Sequence, residues 1–387
     1  MNDKKKRLVT AEAVRRGHPD KLCDQIADAI LDAHLSCDPN ARVAVEVMAT
    51  AGNIVVAGEI TSHANVNYEK IVLDVIQHIG YKWSDLCEDE HDNLGIHISI
   101  HDQSPDIAAA VDGLSPDSDL GAGDQGIMVG YATDETHARM PRAVIIAQRI
   151  CQMLDEEAAH TPWLGVDGKT QVSLEYEGDR VTVHTIVVSV QHASDAPEDK
   201  LRELVTQVVY QAVGQADMWQ QASRLLVNPS GRFVLGGPVA DTGLTGRKLA
   251  VDQYGPIAHI GGGALSGKDA SKADRSGAYA TRWIARNLVA AKLCHRCEVS
   301  IVYAIGVCHP VGITVNTFDT GAKPDDELAK LVWRAFDLRP AAIIDRLKLT
   351  TPSYSLVSVY GHFGRLDLNL PWERDDMVDR LLEAAHY

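Results

Sequence analysis

No stretch of the chain is apolar for long enough to span a bilayer, and the basic start, Lys4, Lys5, Lys6 and Arg7, leads into no apolar signal core. Neither export nor membrane insertion is expected. Cysteine offers no disulfide framework: the seven residues, Cys23, Cys37, Cys87, Cys151, Cys294, Cys297 and Cys308, are odd in number and irregular in spacing. That usage suits a reducing compartment and predicts a cytoplasmic protein. Cys294 and Cys297 have the C-x-x-C spacing of a zinc site, but no second ligand pair accompanies them, and Cys297 is expected to open a buried strand instead. Positive charge is short too. With 37 Lys and Arg against 53 Asp and Glu the net charge is −16, which argues against a general affinity for nucleic acid. No internal sequence repeat and no low-complexity tract is present, so a solenoid is not expected.

What is present is an ordinary globular composition, 45% hydrophobic and 23% charged, in 387 residues, too many for one core. Helical periodicity predicts helices over about 20–36, 67–79, 137–157, 198–213, 273–290 and 325–336. Period-two alternation predicts strands over 43–48, 54–60, 94–100, 171–176, 180–188, 299–305 and 313–318, with Gly178-Asp179 as a hairpin turn. Their irregular alternation reads as a mixed α+β architecture with helices covering sheet faces. Domain-sized segments run over roughly 8–104, 120–234 and 236–373.

Against the acidic background one region stands apart. From Arg232 to Arg286 there are eight Lys or Arg (Arg232, Arg247, Lys248, Lys268, Lys272, Arg275, Arg282, Arg286) against four Asp, and ten of the thirty glycines lie between Gly231 and Gly267. Glycine lets backbone amides approach an anion closely. The run Gly261-Gly-Gly-Ala-Leu-Ser-Gly-Lys268-Asp269 nearly fits a Walker A loop, but Asp269 stands where Ser or Thr would bind magnesium and no βαβ context precedes it. Lys268 and Lys272 flank the start of the helix near Ala273, where free amides and the helix dipole also favour an anion, so a polyphosphate fits there. Gly243-Leu-Thr-Gly-Arg247-Lys248 adds two cations after a turn. Gly17-His18-Pro19-Asp20-Lys21 opens an amphipathic helix and offers a histidine, a carboxylate and a lysine for phosphate and a divalent cation. Glu46 and Glu59 interrupt apolar strands joined by the Ala51-Gly52 turn and are expected on one sheet face. Gly121-Ala-Gly-Asp124-Gln-Gly126 and Asp167-Gly168-Lys169 are further turns that carry charge.

In this order the four segments Gly17–Lys21, Gly121–Gly126, Gly243–Lys248 and Gly261–Asp269 closely resemble the methionine adenosyltransferase (S-adenosylmethionine synthetase) family, over a match running from Thr10 to about Trp372. The resemblance implies three similar α/β-layered domains about a pseudo-threefold axis. It also implies a homodimer, or a tetramer of two such dimers, with active sites at the subunit interface. ATP and L-methionine are the implied substrates. By matching position, His18, Lys169, Arg247, Lys248 and Lys268 are the implied catalytic contacts to ATP and its triphosphate. Asp167, Arg232, Phe233, Asp241 and Ala264 would complete the nucleotide site, and Glu59, Gln103, Asp241 and Lys272 would hold methionine. Two Mg2+ per site, one on Asp20, and K+ on Glu46 are the implied cofactors. The polar stretch from Gln103 to about Gly113 resembles the family's mobile loop over the active site.

One departure is local. Where the family reads Ser-Val-Ser-Glu or close to it before the first signature, this chain has Ala13-Val14-Arg15-Arg16. Two arginines beside His18 and Asp20 predict extra positive charge at the triphosphate, with an altered rate and metal dependence.

Overall fold

The computed structural model describes residues 6–89, 92–103, 121–351 and 353–385. Its first third runs β1 (Arg7–Val14), α1 (Pro19–Cys37), β2 (Arg42–Thr50), β3 (Asn53–Thr61), α2 (Tyr68–Ile79) and β4 (Gly95–His101). The same order returns as β5 (Gly126–Thr133), α3 (Arg142–Ala158), β6 (Leu164–Glu177), β7 (Arg180–His192), α4 (Glu198–Val213) and β8 (Arg224–Val227). It returns again, without the closing strand, as β9 (Gly243–Leu244), α5 (Ala273–Ala290), β10 (Arg296–Tyr303), β11 (Gly312–Asn316) and α6 (Asp325–Ala335). The fold is α+β, and the repeat that the sequence hides is present in the order of its elements. Each unit holds an antiparallel hairpin: β2 with β3, β6 with β7, β10 with β11. Gly178-Asp179 turns the second of these, with Gly178 at φ 62°.

The sheets do not respect the order of the thirds. β1 pairs antiparallel with β6, β5 with β10, and β9 with β2, giving sheet orders β1-β6-β7-β8, β5-β10-β11 and β9-β2-β3-β4. Each third thus gives its leading strand to the hairpin of another, in a closed cycle. One face of each sheet is packed by helices. In β2, Val43, Val45, Val47 and Ala49 are buried in the core beside α1, while Glu46 on the alternate face is exposed, as period-two geometry requires. Glu46 lies opposite Ala57 and Glu59 opposite Ala44, which puts both glutamates on that uncovered face.

One predicted helix shifts at its start. The helix expected from His137 begins only at Arg142, because Pro141 in extended geometry forms its N-cap and residues 135–140 form a turn closed by Thr136 and Met140. Cys297 does lie in a strand, buried within β10, and Cys294 sits in the loop between α5 and that strand. No helix among the described residues is long and apolar enough to cross a membrane.

α1 is buried along nearly its whole length, including charged side chains. On it, Asp28 receives both terminal nitrogens of Arg275 from α5 at 2.7 and 2.9 Å, with both side chains inaccessible to solvent. Replacing Arg275 by methionine strands that carboxylate in the core and is expected to cost about 3–5 kcal/mol of stability. Urea denaturation of the natural and variant chains measures it.

Candidate active site

The site grows from one face of α1. Asp20, Asp24, Asp28 and Asp32 recur every four residues, and each accepts backbone N–H groups from the last third of the chain. Asp20 Oδ1 accepts from Leu244 at 3.0 Å, Asp24 Oδ1 from Gly246 at 2.9 Å and Asp28 Oδ1 from Gly267 at 2.9 Å. Asp32 accepts from Tyr354 and Ser355, both at 2.9 Å. Three cations answer them: Lys248 on Asp20 at 2.5 Å, the fully buried Lys21 on Asp24 at 3.0 Å, and Arg275 on Asp28. Lys21 also bridges to Asp252, whose carboxyl is pushed up to about 7 by burial, against the pull of Lys21. Both glycine loops predicted to meet phosphate are therefore pinned to the helix that begins at His18. Gly267 shows why the sequence needs glycine there: its φ is +79°, and a Cβ would fall 2.1 Å from Val45 O.

At the start of α1 the phosphate-type residues converge. His18 caps the helix, its Nδ1 accepting the Asp20 N–H at 3.1 Å. Burial, then Lys248 and Lys169, push the His18 imidazole down to about 3, so it is neutral at physiological pH. Burial works to raise the Asp20 carboxyl, but the Lys248 hydrogen bond and the Leu244 amide hold it below its ordinary value. Arg247 reaches Asp20 Oδ1 at 3.6 Å, and Ala264 packs against Gly246. Asp167 on β6 directs its carboxylate to two amides, Gly168 at 2.7 Å and Gly237 at 3.0 Å, and burial pushes its carboxyl up to about 6. Lys169, two residues on, is exposed.

A second group gathers toward the other end of β2. The backbone of Lys268 bridges to Ala44, and its ammonium is held by Asp274 of α5 at 2.5 Å. Burial raises the Glu46 carboxyl against the pull of Lys268. Asp269 accepts the Val43 N–H at 2.7 Å and ion-pairs with Lys272. The residue in the Walker hydroxyl position is thus buried and fully engaged with protein, which removes the P-loop reading. Glu59 pairs with His101 at 3.2 Å, and the Gln103 N–H donates to Thr61 at the end of β3. The remainder of the predicted loop, from residue 104 to Gly113, lies outside the described residues.

Three predicted residues stand apart. Arg232 donates to Ser194 O at 2.6 Å at the rim of a cavity between β7 and α4, and Phe233 pairs with His192, which also lines that cavity. Asp241 is exposed and bonded only through its N–H to Gly237 O. Its neighbour Thr242 contacts Thr50, whereas Asp269 and Lys272 sit by Val43, so β2 separates Asp241 from Lys272 by roughly 20 Å. In one chain the two halves of the predicted methionine set do not meet.

No group of three or more His, Cys, Asp or Glu side chains suited to enclosing a metal occurs among the described residues. A lone carboxylate such as Asp20 beside phosphate-binding cations suits magnesium, which commonly takes one or two carboxylates and completes its shell with phosphate oxygens and water. Glu46, exposed on the uncovered sheet face, offers a single hard oxygen donor for potassium.

Arg15 corrects the expectation of added charge at the triphosphate. Its side chain is buried and turned away, with Nε on Asp155 Oδ1 at 2.8 Å, so its charge is cancelled. Arg16 leans the same way: its N–H meets the other Asp155 oxygen at 3.1 Å. Lys21, expected to meet phosphate, is instead fully buried and held by Asp24 and Asp252. Sequence reasoning missed Asp24, Asp28, Asp32 and Asp252, although four aspartates at intervals of four in one helix were an available signal for the first three.

Comparison with known proteins agrees with this layout. Residues 6–105, 119–233 and 235–374 match the N-terminal, central and C-terminal domain models of S-adenosylmethionine synthetase. An S-adenosylmethionine synthase of Desulforudis audaxviator is 49% identical, covering 98% of this chain and 99% of the relative. One from Corynebacterium urealyticum is 48% identical with the same coverage.

The depressed His18 makes a signed prediction. A histidine that is neutral in the fold takes up its proton only on unfolding, so its contribution to stability is full above about pH 6.5 and falls as pH drops toward 3. Comparing urea denaturation of the natural chain with His18→Gln, the stability difference is expected to move against the natural chain by about 2 kcal/mol between pH 7 and pH 5.

Proposed function

This chain belongs to the S-adenosylmethionine synthetase family and is a methionine adenosyltransferase, and from that premise we propose how its residues carry the reaction. The methionine sulfur attacks C5′ of ATP, the C5′–O bond breaks, and the intact triphosphate departs before water cleaves it to pyrophosphate and phosphate. A thioether carries no proton, so the attack needs no general base. It needs in-line alignment and a leaving group whose charge is met.

The observation that carries this reading is the cluster at the start of α1: a neutral His18 ringed by Lys248, Lys169 and Arg247, with Asp20 holding Lys248 in place. His18, Lys169, Arg247, Lys248 and Lys268 receive the triphosphate oxygens; the neutral imidazole, whose Nδ1 accepts the Asp20 N–H, donates from the N–H of its other ring nitrogen. Asp167, Arg232, Phe233, Asp241 and Ala264 complete the nucleotide side, while Glu59, Gln103, Asp241 and Lys272 complete the methionine side. Asp20 would hold magnesium and Glu46 potassium, and these ions would supply positive charge against the triphosphate. Lys248, Lys268 and Lys272 each rest on an aspartate, so binding phosphate exchanges one anionic partner for another.

The separation of Asp241 from Lys272 along β2 supports a site completed by a second copy of the chain, in a homodimer or a tetramer of dimers. Exposed Leu8, Ile98, Ile127 and Leu226, on strands of all three sheets, supply apolar surface for that contact. We place the three domains at 8–104, 120–234 and 236–373 and the enzyme in the cytoplasm, consistent with seven free cysteines.

With labelled methionine, ATP, magnesium and potassium, the natural chain is expected to form S-adenosylmethionine together with pyrophosphate and phosphate. Lys268→Ala should lower kcat by about 10²–10³. Turnover equal to the natural chain would remove Lys268 from the triphosphate site.

A further inference from the structure

We infer that Arg15 is a positioning residue for the nucleotide side of the site, a role created where this chain carries arginine in place of the family's small residue. Arg15 stands at the end of β1, where the strand leaves its pairing with β6 and the chain turns toward His18. Its guanidinium reads three backbone carbonyls and one carboxylate: Gly165 O at 2.7 Å, Asp167 O at 3.3 Å, Leu154 O at 3.0 Å and Asp155 Oδ1 at 2.8 Å. Its main chain adds two more ties. The Arg15 N–H donates to Gly168 O at 3.0 Å, and its carbonyl accepts the His18 N–H at 3.0 Å. A single residue thus fixes the backbone on both sides of Asp167, the residue before Lys169, and the N-cap of α1.

The local sequence is shaped around this side chain. A Cβ at Gly168 would stand 2.6 Å from Ser189 O and 2.8 Å from Arg15 Cδ, so Arg15 passes β6 at a position without a side chain. Asp155 on α3 supplies the balancing charge and is held by a third segment, through the Tyr360 hydroxyl at 2.6 Å. A planar fork with donors on several edges suits this task, and lysine cannot reproduce it. A fully hydrogen-bonded buried pair fixes geometry, and small displacements of substrate-positioning groups weaken binding steeply.

The inference rests on the reading of His18, Asp167 and Lys169 as nucleotide contacts, and its test separates the two. For Arg15→Ser, the residue of the family pattern, we expect KM for ATP to rise about tenfold with KM for methionine nearly unchanged. Calorimetric binding of the non-hydrolysable ATP analogue adenylyl imidodiphosphate should weaken by a similar factor. Arg15→Lys keeps the charge beside Asp155 but loses the fork. It is expected to show the same ATP-selective loss, and it serves as the test should the serine variant fail to fold. Unchanged analogue affinity, or equal rises in both KM values at a temperature where each variant is fully folded, would overturn the positioning role. A natural chain that binds the analogue yet makes no product would instead overturn the functional reading, leaving the comparison of analogue affinities to decide the role of Arg15.

Discussion

Four carboxylates on α1, three buried and Asp32 half-buried, tie the first helix to the last third of the chain. Asp20, Asp24, Asp28 and Asp32 lie one turn apart, and an amide hydrogen bond to each ties down the β9 turn, the glycine loop before α5 and the segment after Leu349. Burying so many acids in one helix is unfavourable unless every one is paired, and here each has its amides, with Lys248, Lys21 or Arg275 added to the first three. The loops have few apolar side chains of their own to anchor them. Without the aspartates, the two glycine loops that carry Lys248 and Lys268 would keep their pairing with β2 but lose their hydrogen bonds to α1.

The same helix explains why the site sits where it does. α1 packs its apolar residues against one face of β2, so its N-terminus emerges beside β9, while Glu46 and Glu59 occupy the opposite face of the sheet. The lysine and arginine side chains of the loops and the sheet carboxylates therefore meet around β2. That strand pairs on one edge with β3 and on the other with β9 and the loop at 267–269. Glu46, Glu59 and Lys268 are set by this backbone pairing.

Periodicity made the long elements legible, from α1 and α5 to the three hairpins, because their burial follows a regular spacing. It could not reveal β9, two residues long, whose only evidence is its partner nearly 200 positions away. Asp24 and Asp28 read as ordinary polar helix positions, since local sequence does not say that a lysine or arginine will arrive to pair with them. Arg15 misled for the same reason: beside His18 it looked like charge added to the site, whereas Asp155, 140 residues on, cancels it. The local glycine-rich segments, by contrast, carried their chemistry in their spacing, and their placement next to α1 is where the structure puts them.

The cyclic gift of strands sets a timetable for synthesis. A ribosome that has released the first hundred residues has made β2, β3 and β4 but neither β9 nor the loop that pairs with Val43 and Val45. That edge of the first sheet must wait for residues 243–269, and β1 waits for β6 in turn. Until then the nascent chain carries open strand edges and an α1 whose acids lack their cations. The last third therefore closes the first, and vectorial folding domain by domain gives way to a single late assembly that exposes the growing chain to mispairing and makes it a natural client for chaperones.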